Sequence, residues 1–272
     1  INEDKLSRII KKYEIKSVIH LAGYKSVAES VTNPSIYYSN NLGILLSVLN
    51  VMLKENCNNF IFSSSASIYR QKKDLSSFNE NADLHYLNPY SHTKLIAEQI
   101  IESMFKKSNI NYSILRYFNP AGAHESNLIG EESTAMPNNL FPYICKVATG
   151  KLPYLKVFGN DYETKDGTCI RDYIHITDLS AGHVKSLRYT IDNNKNTKIN
   201  LGSGSFASVM EVITEFNKIN DKEISFQIHP RRDGDMAASY ADITLAKTLL
   251  KWEPKKSLKE ICNSALLWER TI

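Results

Sequence analysis

The residues best suited to chemistry are Tyr90 and Lys94, which stand four positions apart in the run Pro89-Tyr-Ser-His-Thr-Lys94. Side chains at i and i+4 of a helix share one face, so an ammonium would stand beside a phenol. A free phenol has a pKa near ~10, and a fixed positive charge nearby lowers that pKa. Such a tyrosine can remove a proton from a substrate hydroxyl and later return it. An ordinary exposed helical pair has the same spacing, so the motif needs support from its surroundings.

That support comes from a serine run, Ser63-Ser64-Ser65, which ends a short apolar segment upstream of Tyr90. A hydroxyl at the end of a strand could hydrogen-bond the same substrate oxygen and shuttle its proton. The alternative is a plain strand-to-loop turn, where serine is common. We favour the first interpretation for this serine run, because the end of the strand and the start of the helix would converge on one rim.

The elements that must position these side chains alternate between strand and helix. Helices are predicted at 3–13, 33–56 and 89–108, and strands at 17–22, 60–62 and 112–115. Short apolar strands of this kind are typical of parallel strands buried on both faces. The alternation therefore predicts an α/β fold with a Rossmann-like, doubly wound parallel sheet. Polar segments follow the strands, so they would lie at the carboxyl ends, where such sheets bind ligands.

The chain changes character near residue 120, where the predicted elements become shorter and more irregular. We predict a first domain at 1–120 and a smaller, mixed, substrate-facing region at 121–272, with segments near 172–202 returning to the main domain. The polar stretch Asp192–Lys198 is predicted to be a loop.

Composition and charge exclude several function classes. The net charge is +4 and the lysines are scattered, which is typical of solvated faces and not of a nucleic-acid site. The cysteines lie far apart, without metal-ligand spacing, so we predict no metal and reduced thiols in the cytoplasm. They are Cys57, Cys145, Cys169 and Cys262. No uninterrupted apolar run approaches ~18 residues, so no membrane-spanning helix is expected.

Longer stretches of the chain resemble the UDP-glucose (UDP-galactose) 4-epimerases, which are extended short-chain dehydrogenases/reductases. The matching stretches come in the family's order and cover essentially the whole chain. They are Val18-Ile-His-Leu-Ala-Gly-Tyr-Lys25, Phe60-Ile-Phe-Ser-Ser-Ser-Ala66, Pro89-Tyr-Ser-His-Thr-Lys94, Leu115-Arg-Tyr-Phe-Asn-Pro-Ala-Gly-Ala-His124, Met136-Pro-Asn-Asn-Leu140, Val157-Phe-Gly-Asn-Asp-Tyr162, Asp166-Gly-Thr-Cys-Ile-Arg-Asp-Tyr-Ile-His175 and Pro230-Arg-Arg-Asp-Gly-Asp235.

The resemblance implies the family's reaction, which inverts C4 of a UDP-hexose through transient NAD-dependent oxidation to a 4-keto sugar. It implies that Tyr90 is the base, that Lys94 lowers its pKa and that Ser65 binds the substrate oxygen. It makes the first domain the NAD-binding one and implies a homodimer. The implied NAD contacts are Leu21, Ala22, Gly23, Lys25, Asn40, Ser63, Tyr90, Lys94 and Phe118. The implied UDP-sugar contacts are Ser65, Asn119, Asn139, Leu140, Phe158, Arg171, Arg232, Asp235 and Ser239.

Two departures from the family pattern stand out. No glycine-rich turn precedes Val18, so the first βαβ units are missing by the family pattern and the chain as given is expected to bind NAD weakly. Either the chain is a fragment or part of the protein is not included in the sequence. The second departure is Ser239, where bacterial members of the family often carry tyrosine. A serine would leave room for an N-acetylated sugar, unless Tyr240 fills the space.

Two alternatives to the epimerase remain open at this point. A nucleotide-sugar 4,6-dehydratase of the same superfamily usually carries an Asp-Glu pair directly after the serine or threonine, whereas Ala66 and Ser67 stand there in this sequence. A non-catalytic UDP-sugar-binding fragment stays open because the glycine-rich turn is missing.

Overall fold

The computed structural model describes residues 2–72, 74–132, 137, 139–232 and 235–272. The strands are β1 (Ser17–His20), β2 (Asn59–Ser65), β3 (Asn111–Tyr117), β4 (Asn119–Ala121), β5 (Leu155–Phe158), β6 (Ile170–Arg171), β7 (Tyr173–His175), β8 (Thr197–Leu201), β9 (Ala207–Ser208), β10 (Phe226–His229) and β11 (Ala238–Ser239). The α-helices are α1 (Glu3–Lys12), α2 (Val27–Thr32), α3 (Pro34–Tyr37), α4 (Gly43–Glu55), α5 (Pro89–Phe105), α6 (Leu140–Ala148), α7 (Ile176–Asn193), α8 (Val209–Ile219), α9 (Thr244–Leu250) and α10 (Leu258–Thr271).

The central sheet has the strand order β1-β2-β3-β8, and every neighbouring pair is parallel. This arrangement confirms the predicted α/β fold. The register pairs Ser65 with Tyr117, so β2 and β3 end level with each other. The carboxyl ends that were expected to carry the site therefore meet at one edge of the sheet.

Helices cover both faces of this sheet. On one face, α1, α4 and α5 pack an apolar cluster that includes Leu49, Phe60 and Ile101. On the other face, α7 and α9 pack against a cluster that includes Leu115 and Leu201. Alternate residues of β2 and β3 point to opposite faces, so each strand contributes to both clusters.

The rest of the chain forms smaller sheets. β10 pairs with β5, β6 lies between β11 and β9, and β4 pairs with β7. A separate apolar cluster, which includes Phe141, Phe216 and Ile261, brings α6, α8 and α10 together. The segment formed by α7 and β8 belongs to the central sheet and its packing. The division into two domains at residue 120 stays a prediction.

The helix predicted at 33–56 is not one regular helix. It consists of α3, a π-helical segment at Tyr38–Leu42 and α4. The whole stretch Pro34–Glu55 is long and apolar enough to cross a membrane by length and composition, although polar residues interrupt its apolar runs. A core helix passes the same test, and Leu45, Leu49 and Met52 of this stretch are buried against the sheet.

The loop predicted at Asp192–Lys198 is shorter than expected. The helix α7 continues to Asn193, where Asn194 ends it in the left-handed conformation with φ of 50°. Strand β8 then begins at Thr197. Asparagine tolerates this conformation better than most residues, which explains a sharp helix-to-strand connection in a polar stretch.

Candidate active site

The helix that carries Tyr90 and Lys94 has a well-defined start. The side chain of Asn88 accepts a hydrogen bond of 2.9 Å from the backbone N–H of Ser91, and the hydroxyl of Ser91 accepts one of 3.3 Å from the backbone N–H of Asn88. Pro89 occupies the first helical turn, where its missing N–H is not needed. This reciprocal cap fixes Tyr90 in the first turn, beside the end of β2.

Four of the predicted site residues converge at the carboxyl end of β2. The Lys94 ammonium donates a hydrogen bond of 2.7 Å to the backbone carbonyl of Ser63 and lies 5.8 Å from the centre of the Tyr90 ring. The hydroxyl of Ser65 interacts with the phenol of Tyr90. The structure therefore brings phenol, ammonium and hydroxyl together, as the sequence analysis expected. Their catalytic roles stay predictions.

Burial sets the protonation of this pair. It raises the pKa of Tyr90, and the hydrogen bond with Ser65 acts in the opposite direction. It lowers the pKa of Lys94 to about 8, and the negative charge of Glu98 opposes that change. The lowering of the Tyr90 pKa that the sequence analysis expected from Lys94 is not the net direction here, because desolvation of the phenolate is the larger effect. Lys94 still carries its positive charge at neutral pH.

A second tyrosine at the same edge was missed by the sequence analysis. The phenol of Tyr117, in the last position of β3, bonds to Nε2 of His183. The other ring nitrogen of His183 lies 2.9 Å from the carbonyl of Leu179, so it must carry the proton and leave Nε2 as the acceptor. Burial raises the pKa of Tyr117, and Ser63 contacts its hydroxyl. Tyr117 is therefore a neutral donor on the α7 side of the site, and its hydrogen is committed to His183.

The loop after β1 holds four of the predicted cofactor contacts. Leu21 and Ala22 are exposed, and Gly23 has a φ of 153°. A Cβ at Gly23 would lie 3.1 Å from Oδ1 of Asn41, so the tight approach favours glycine. The same Oδ1 accepts a hydrogen bond of 2.8 Å from the backbone N–H of Tyr24. Asn41 therefore fixes the conformation of this loop. Its role was not predicted, because the contact joins residues that lie 17 positions apart in the sequence.

Asn40, another predicted cofactor contact, belongs to the π-helical segment beside this loop. It lines a cleft of about 400 Å³ together with Tyr24, Ser35, Ile36 and Ser39. Its amide donates a hydrogen bond of 3.2 Å to Oδ1 of Asn41. The loop after β1 and the π-helical segment therefore face one another across an open cleft.

Lys25 is the fourth predicted cofactor contact of this loop. Glu131 connects it to Asn139, which is a predicted substrate contact. The Lys25 ammonium lies 2.7 Å from Oε1 of Glu131, and the amide of Asn139 lies 3.4 Å from the same oxygen. Asn139 is the N-cap of α6, and Leu140 is the first residue of that helix. Met136 and Asn138, which belong to the same resembling stretch, lie outside the described residues.

Phe118 and Asn119 connect the two parts of the site along the chain. Phe118 is buried, with its ring stacked near that of Tyr69. Asn119 is exposed in β4, and its backbone N–H donates a hydrogen bond of 2.9 Å to the carbonyl of Asp172. The predicted cofactor contact and the predicted substrate contact are therefore adjacent residues that face different surroundings.

Three predicted substrate contacts lie together around β6. The guanidinium of Arg171 lies 3.2 Å from the Asp235 carboxylate and donates a hydrogen bond of 2.7 Å to the carbonyl of Met236. Ser239 is buried in β11 and pairs in register with Arg171. Asp233 and Gly234, from the same resembling stretch, lie outside the described residues. An arginine held in this way presents a fixed fork that suits phosphate or carboxylate oxygens.

The remaining pair of predicted substrate contacts is Phe158 and Arg232. The guanidinium of Arg232 lies 3.9 Å from the centre of the Phe158 ring, a cation–π contact. His229 pairs with Phe158 across β10 and β5, and its Nε2 is buried without a hydrogen-bond partner. An aromatic ring beside an exposed cation is a suitable site for a planar, anionic ligand such as a nucleotide.

The position that distinguishes a dehydratase carries no acid. Ala66 is buried, and the Ser67 hydroxyl lies 2.9 Å from the Ser65 hydroxyl. An elimination step needs a general acid or base at this point, and neither side chain can act as a carboxylic acid. Among the described residues, no group of three or more His, Cys, Asp or Glu side chains is arranged to hold a metal ion.

Comparisons with known proteins agree with this geometry. A family model described as GDP-mannose 4,6 dehydratase matches residues 1–265. UDP-glucose 4-epimerase from Bacillus subtilis is 43% identical over 270 residues, which cover 99% of this chain and 79% of that protein.

Two solved structures are similar over nearly the whole chain. The epimerase of Stenotrophomonas maltophila, with bound NAD and formylated UDP-arabinopyranose, has a TM-score of 0.97 at 38% identity and covers 99% of this chain and 80% of its own. The epimerase of Bifidobacterium longum, in complex with NAD+ and UDP, has a TM-score of 0.91 at 42% identity, with coverage of 99% and 81%. The chain therefore belongs to the family that the GDP-mannose 4,6 dehydratase model describes and, within it, to the UDP-glucose 4-epimerases.

Proposed function

We propose that this protein interconverts UDP-glucose and UDP-galactose by inverting C4 of the hexose, with NAD as a resident cofactor. The observation that carries the proposal is the convergence of Tyr90, Lys94 and Ser65 at the carboxyl end of β2. Relatives with bound NAD and UDP share this fold and the family. The dehydratase alternative is not supported, because Ala66 and Ser67 provide no acid and the similar proteins are epimerases.

Tyr90 is the residue that moves the proton. Its phenol, in the phenolate form, would accept the proton of the sugar 4-hydroxyl at its own oxygen and return it after the carbon has been inverted. Ser65 would hold the same sugar oxygen by a hydrogen bond, because its hydroxyl already contacts the phenol. NAD, when bound, supplies the reversible removal and return of hydride at that carbon.

Lys94 stabilises the phenolate by its charge and by its fixed position. Its pKa of about 8 leaves it mostly protonated at neutral pH. The hydrogen bond to the Ser63 carbonyl keeps the ammonium near the Tyr90 ring without neutralising it. An ammonium in a poorly solvated site interacts more strongly with a developing phenolate than it would in water.

The residues present also fit a dinucleotide and a UDP group. The loop at Leu21–Gly23 with Lys25, together with Asn40 and Phe118, would hold the cofactor beside the cleft. Arg171 and Arg232 would bind the diphosphate, and Phe158 would lie against the uracil. Asp235 already orients Arg171 and would contact the ribose. Asn119, Asn139 and Leu140 would complete the nucleotide site.

The proposal is tested by Tyr90→Phe in the full-length protein. We expect turnover of UDP-galactose to fall by about 10²–10⁴-fold, because the variant lacks only the proton acceptor. Unchanged NAD content and an unchanged melting temperature would show that the fold and the cofactor site are intact. Turnover within a few-fold of wild type would contradict the role of Tyr90.

We further propose that N-acetylated hexoses are substrates, because Ser239 leaves space in the sugar pocket. The ring of Tyr240, the neighbouring residue that is large enough to fill that space, lies 4.9 Å from the ring of Phe206, and this contact supports the proposal. We expect the protein to epimerise UDP-N-acetylglucosamine and Ser239→Tyr to lose that activity while retaining UDP-glucose turnover. Equal loss of both activities, or no N-acetyl activity in wild type, would contradict it.

We also propose a cytoplasmic homodimer that binds neither membranes nor nucleic acid. Free cysteines at every one of the four positions support a reducing compartment. Ile36, Leu46 and Leu53 are exposed apolar residues on the stretch that contains α3 and α4, and they could pair with a second copy beside α5. Light scattering of the full-length protein would determine whether it is a dimer or a monomer.

A further inference from the structure

The helix α5 carries a third titratable residue on the face of Tyr90 and Lys94. Glu98 follows Lys94 by four positions, and its side chain is 1% exposed. Its carboxylate accepts a hydrogen bond of 2.5 Å from the hydroxyl of Ser64 in β2. It also accepts bonds of 3.1 and 2.8 Å from Nε and Nη2 of Arg116 in β3, whose side chain is likewise 1% exposed. One carboxylate thus joins α5 to two neighbouring strands.

The network continues beyond Arg116. Its Nη1 donates hydrogen bonds of 3.1 Å to the phenol of Tyr69 and of 3.0 Å to the carbonyl of Glu80. Tyr69 in turn donates a bond of 2.6 Å to Oδ1 of Asn200 in β8. Every polar group in this chain of contacts has a partner, as a buried charge pair requires. The carboxylate of Glu98 is the point at which this network reaches the helix that carries Tyr90 and Lys94.

We propose that Glu98 is a positioning residue for the reaction, which fixes α5 against β2 and β3 and supplies the negative charge that keeps Lys94 protonated beside Tyr90. The inference rests on the proposed function of Tyr90 and Lys94. A purely structural ion pair would explain the burial of Glu98 and Arg116 equally well. The two interpretations differ in what happens to the charge of Lys94 when Glu98 is made neutral.

The groups that face Lys94 come from three elements. From α5 they are Tyr90 and Glu98, and from β1 it is His20, whose pKa is lowered to about 4 first by burial and then by Lys94. From β2 they are the Ser63 carbonyl and the ring of Phe62, which lies 5.1 Å from the ammonium. Tyr90 and His20 are uncharged at neutral pH, so Glu98 is the anion among these groups. Without it, the Arg116 cation would add to the burial that already lowers the pKa of Lys94.

The test is a pH titration of the Lys94 side chain, followed by the ¹³Cε chemical shift and assigned with Lys94→Arg. In Glu98→Gln we expect the titration midpoint to fall by about one pH unit or more, since one nearby opposite charge is removed. Glu98→Asp keeps the charge and should restore most of the wild-type value. Glu269→Gln is the matched control, because Glu269 is a buried carboxylate paired with Lys151 in another cluster and should leave Lys94 unchanged.

Neutralising Glu98 alone leaves Arg116 buried without its partner, which could prevent folding. The double variant Glu98→Gln/Arg116→Met removes both charges and is the second test, with the midpoint of Lys94 expected below wild type. A midpoint equal to wild type in either folded variant would overturn the proposal. The titration needs neither substrate nor cofactor, so its outcome is independent of the Tyr90→Phe assay. Failure of that assay would overturn the proposed function, whereas failure of the titration would overturn only the role of Glu98.

The active enzyme gives a kinetic readout of the same effect. The pH at which kcat falls on the alkaline side should decrease in Glu98→Gln, together with the Lys94 midpoint, and should stay unchanged in Glu269→Gln.

Discussion

Burial acts in opposite directions on the two chemical groups of the site. It raises the pKa of the Tyr90 phenol and lowers the pKa of the Lys94 ammonium, since both charged forms lose solvation. The hydroxyl of Ser65 opposes the rise in the pKa of Tyr90, and the carboxylate of Glu98 opposes the fall in the pKa of Lys94. Removing the Ser65 hydroxyl should therefore raise the pKa of Tyr90, and removing the Glu98 charge should lower the pKa of Lys94.

His20 makes the stability of the protein depend on pH. It is 5% exposed, stacks on Phe62, and burial is the main cause that lowers its pKa from 6.5 to about 4. Between pH 4 and 6.5 the unfolded chain therefore binds more protons than the folded one, so the free energy of unfolding decreases as the pH falls through this window. We expect His20 to contribute a loss of about 2–3 kcal/mol between pH 7.5 and pH 4.5.

Urea unfolding at the two pH values measures this loss. His20→Leu has no group that titrates in the window, so its loss of stability on acidification should be smaller than that of wild type by the same amount. An identical pH dependence in the two proteins would show that other groups are responsible.

Spacing in the sequence was sufficient to predict that Tyr90 and Lys94 share a face and meet Ser65. It was not sufficient for Asn41, Tyr117 and His183, because each acts through a partner far away in the chain. The sequence separation between Tyr117 and His183 is 66 residues. Local patterns do not specify which distant polar groups meet, so hydrogen bonds of this kind require the fold.

At the scale of elements, the start of α5 determines where Tyr90 lies. Asn88→Ala removes the cap and should reduce stability by about 1 kcal/mol, which corresponds to a melting temperature lower by about 2–4 °C for a protein of this size. Because Tyr90 lies in the first turn, we also expect kcat to fall several-fold. Differential scanning calorimetry and the epimerase assay measure the two effects.

The control for this prediction is Ser257→Ala, which removes an equivalent capping box from α10. It should reduce the melting temperature by a similar amount and leave kcat unchanged. A fall in kcat of equal size in both variants would attribute the effect to general destabilisation and contradict a specific role of Asn88.

The alternating elements were predicted well in kind and less well in detail. The apolar periodicity of 33–56 indicated a helix, and most of that stretch is helical. The π-helical segment at Tyr38–Leu42, in which Asn41 contacts Tyr24 and Thr93, escaped prediction because a single π turn within a helix has no periodicity of its own. The short strands β6, β9 and β11 were also not predicted, because two-residue strands carry no periodicity.

At the scale of the whole molecule, Asp172 connects segments that surround the substrate contacts. It is fully buried, and its carboxylate accepts hydrogen bonds from the backbone N–H groups of Ser203, Gly204 and Ala241 and from the hydroxyl of Ser203. Its backbone N–H also donates a hydrogen bond of 3.0 Å to the carbonyl of Ser239 in β11. One side chain therefore holds the segment after β8 and the segment after β11.

Asp172→Asn should be strongly destabilising. One of its two oxygens would become an N–H₂ group that faces backbone N–H donors, and a buried donor without an acceptor costs about 1–3 kcal/mol. We expect a loss of about 2–4 kcal/mol in urea unfolding. Asp161→Asn is the control, because its pair with Arg231 is exposed and should contribute less than about 1 kcal/mol. Equal losses in both variants would contradict a central role for Asp172.

The π-helical segment has a consequence for how the chain tolerates changes in length. Each residue of a helix advances the next by about 100°, and a π turn contains one residue more than an α turn. Deleting one residue between Tyr38 and Leu42 would restore regular winding and rotate α3 and Asn40 relative to α4. The apolar stripe of α4 would keep its place on the sheet. The amide of Asn41, which accepts a hydrogen bond from the backbone N–H of Tyr24, would move away from that partner. Insertions and deletions should therefore be poorly tolerated at these five positions.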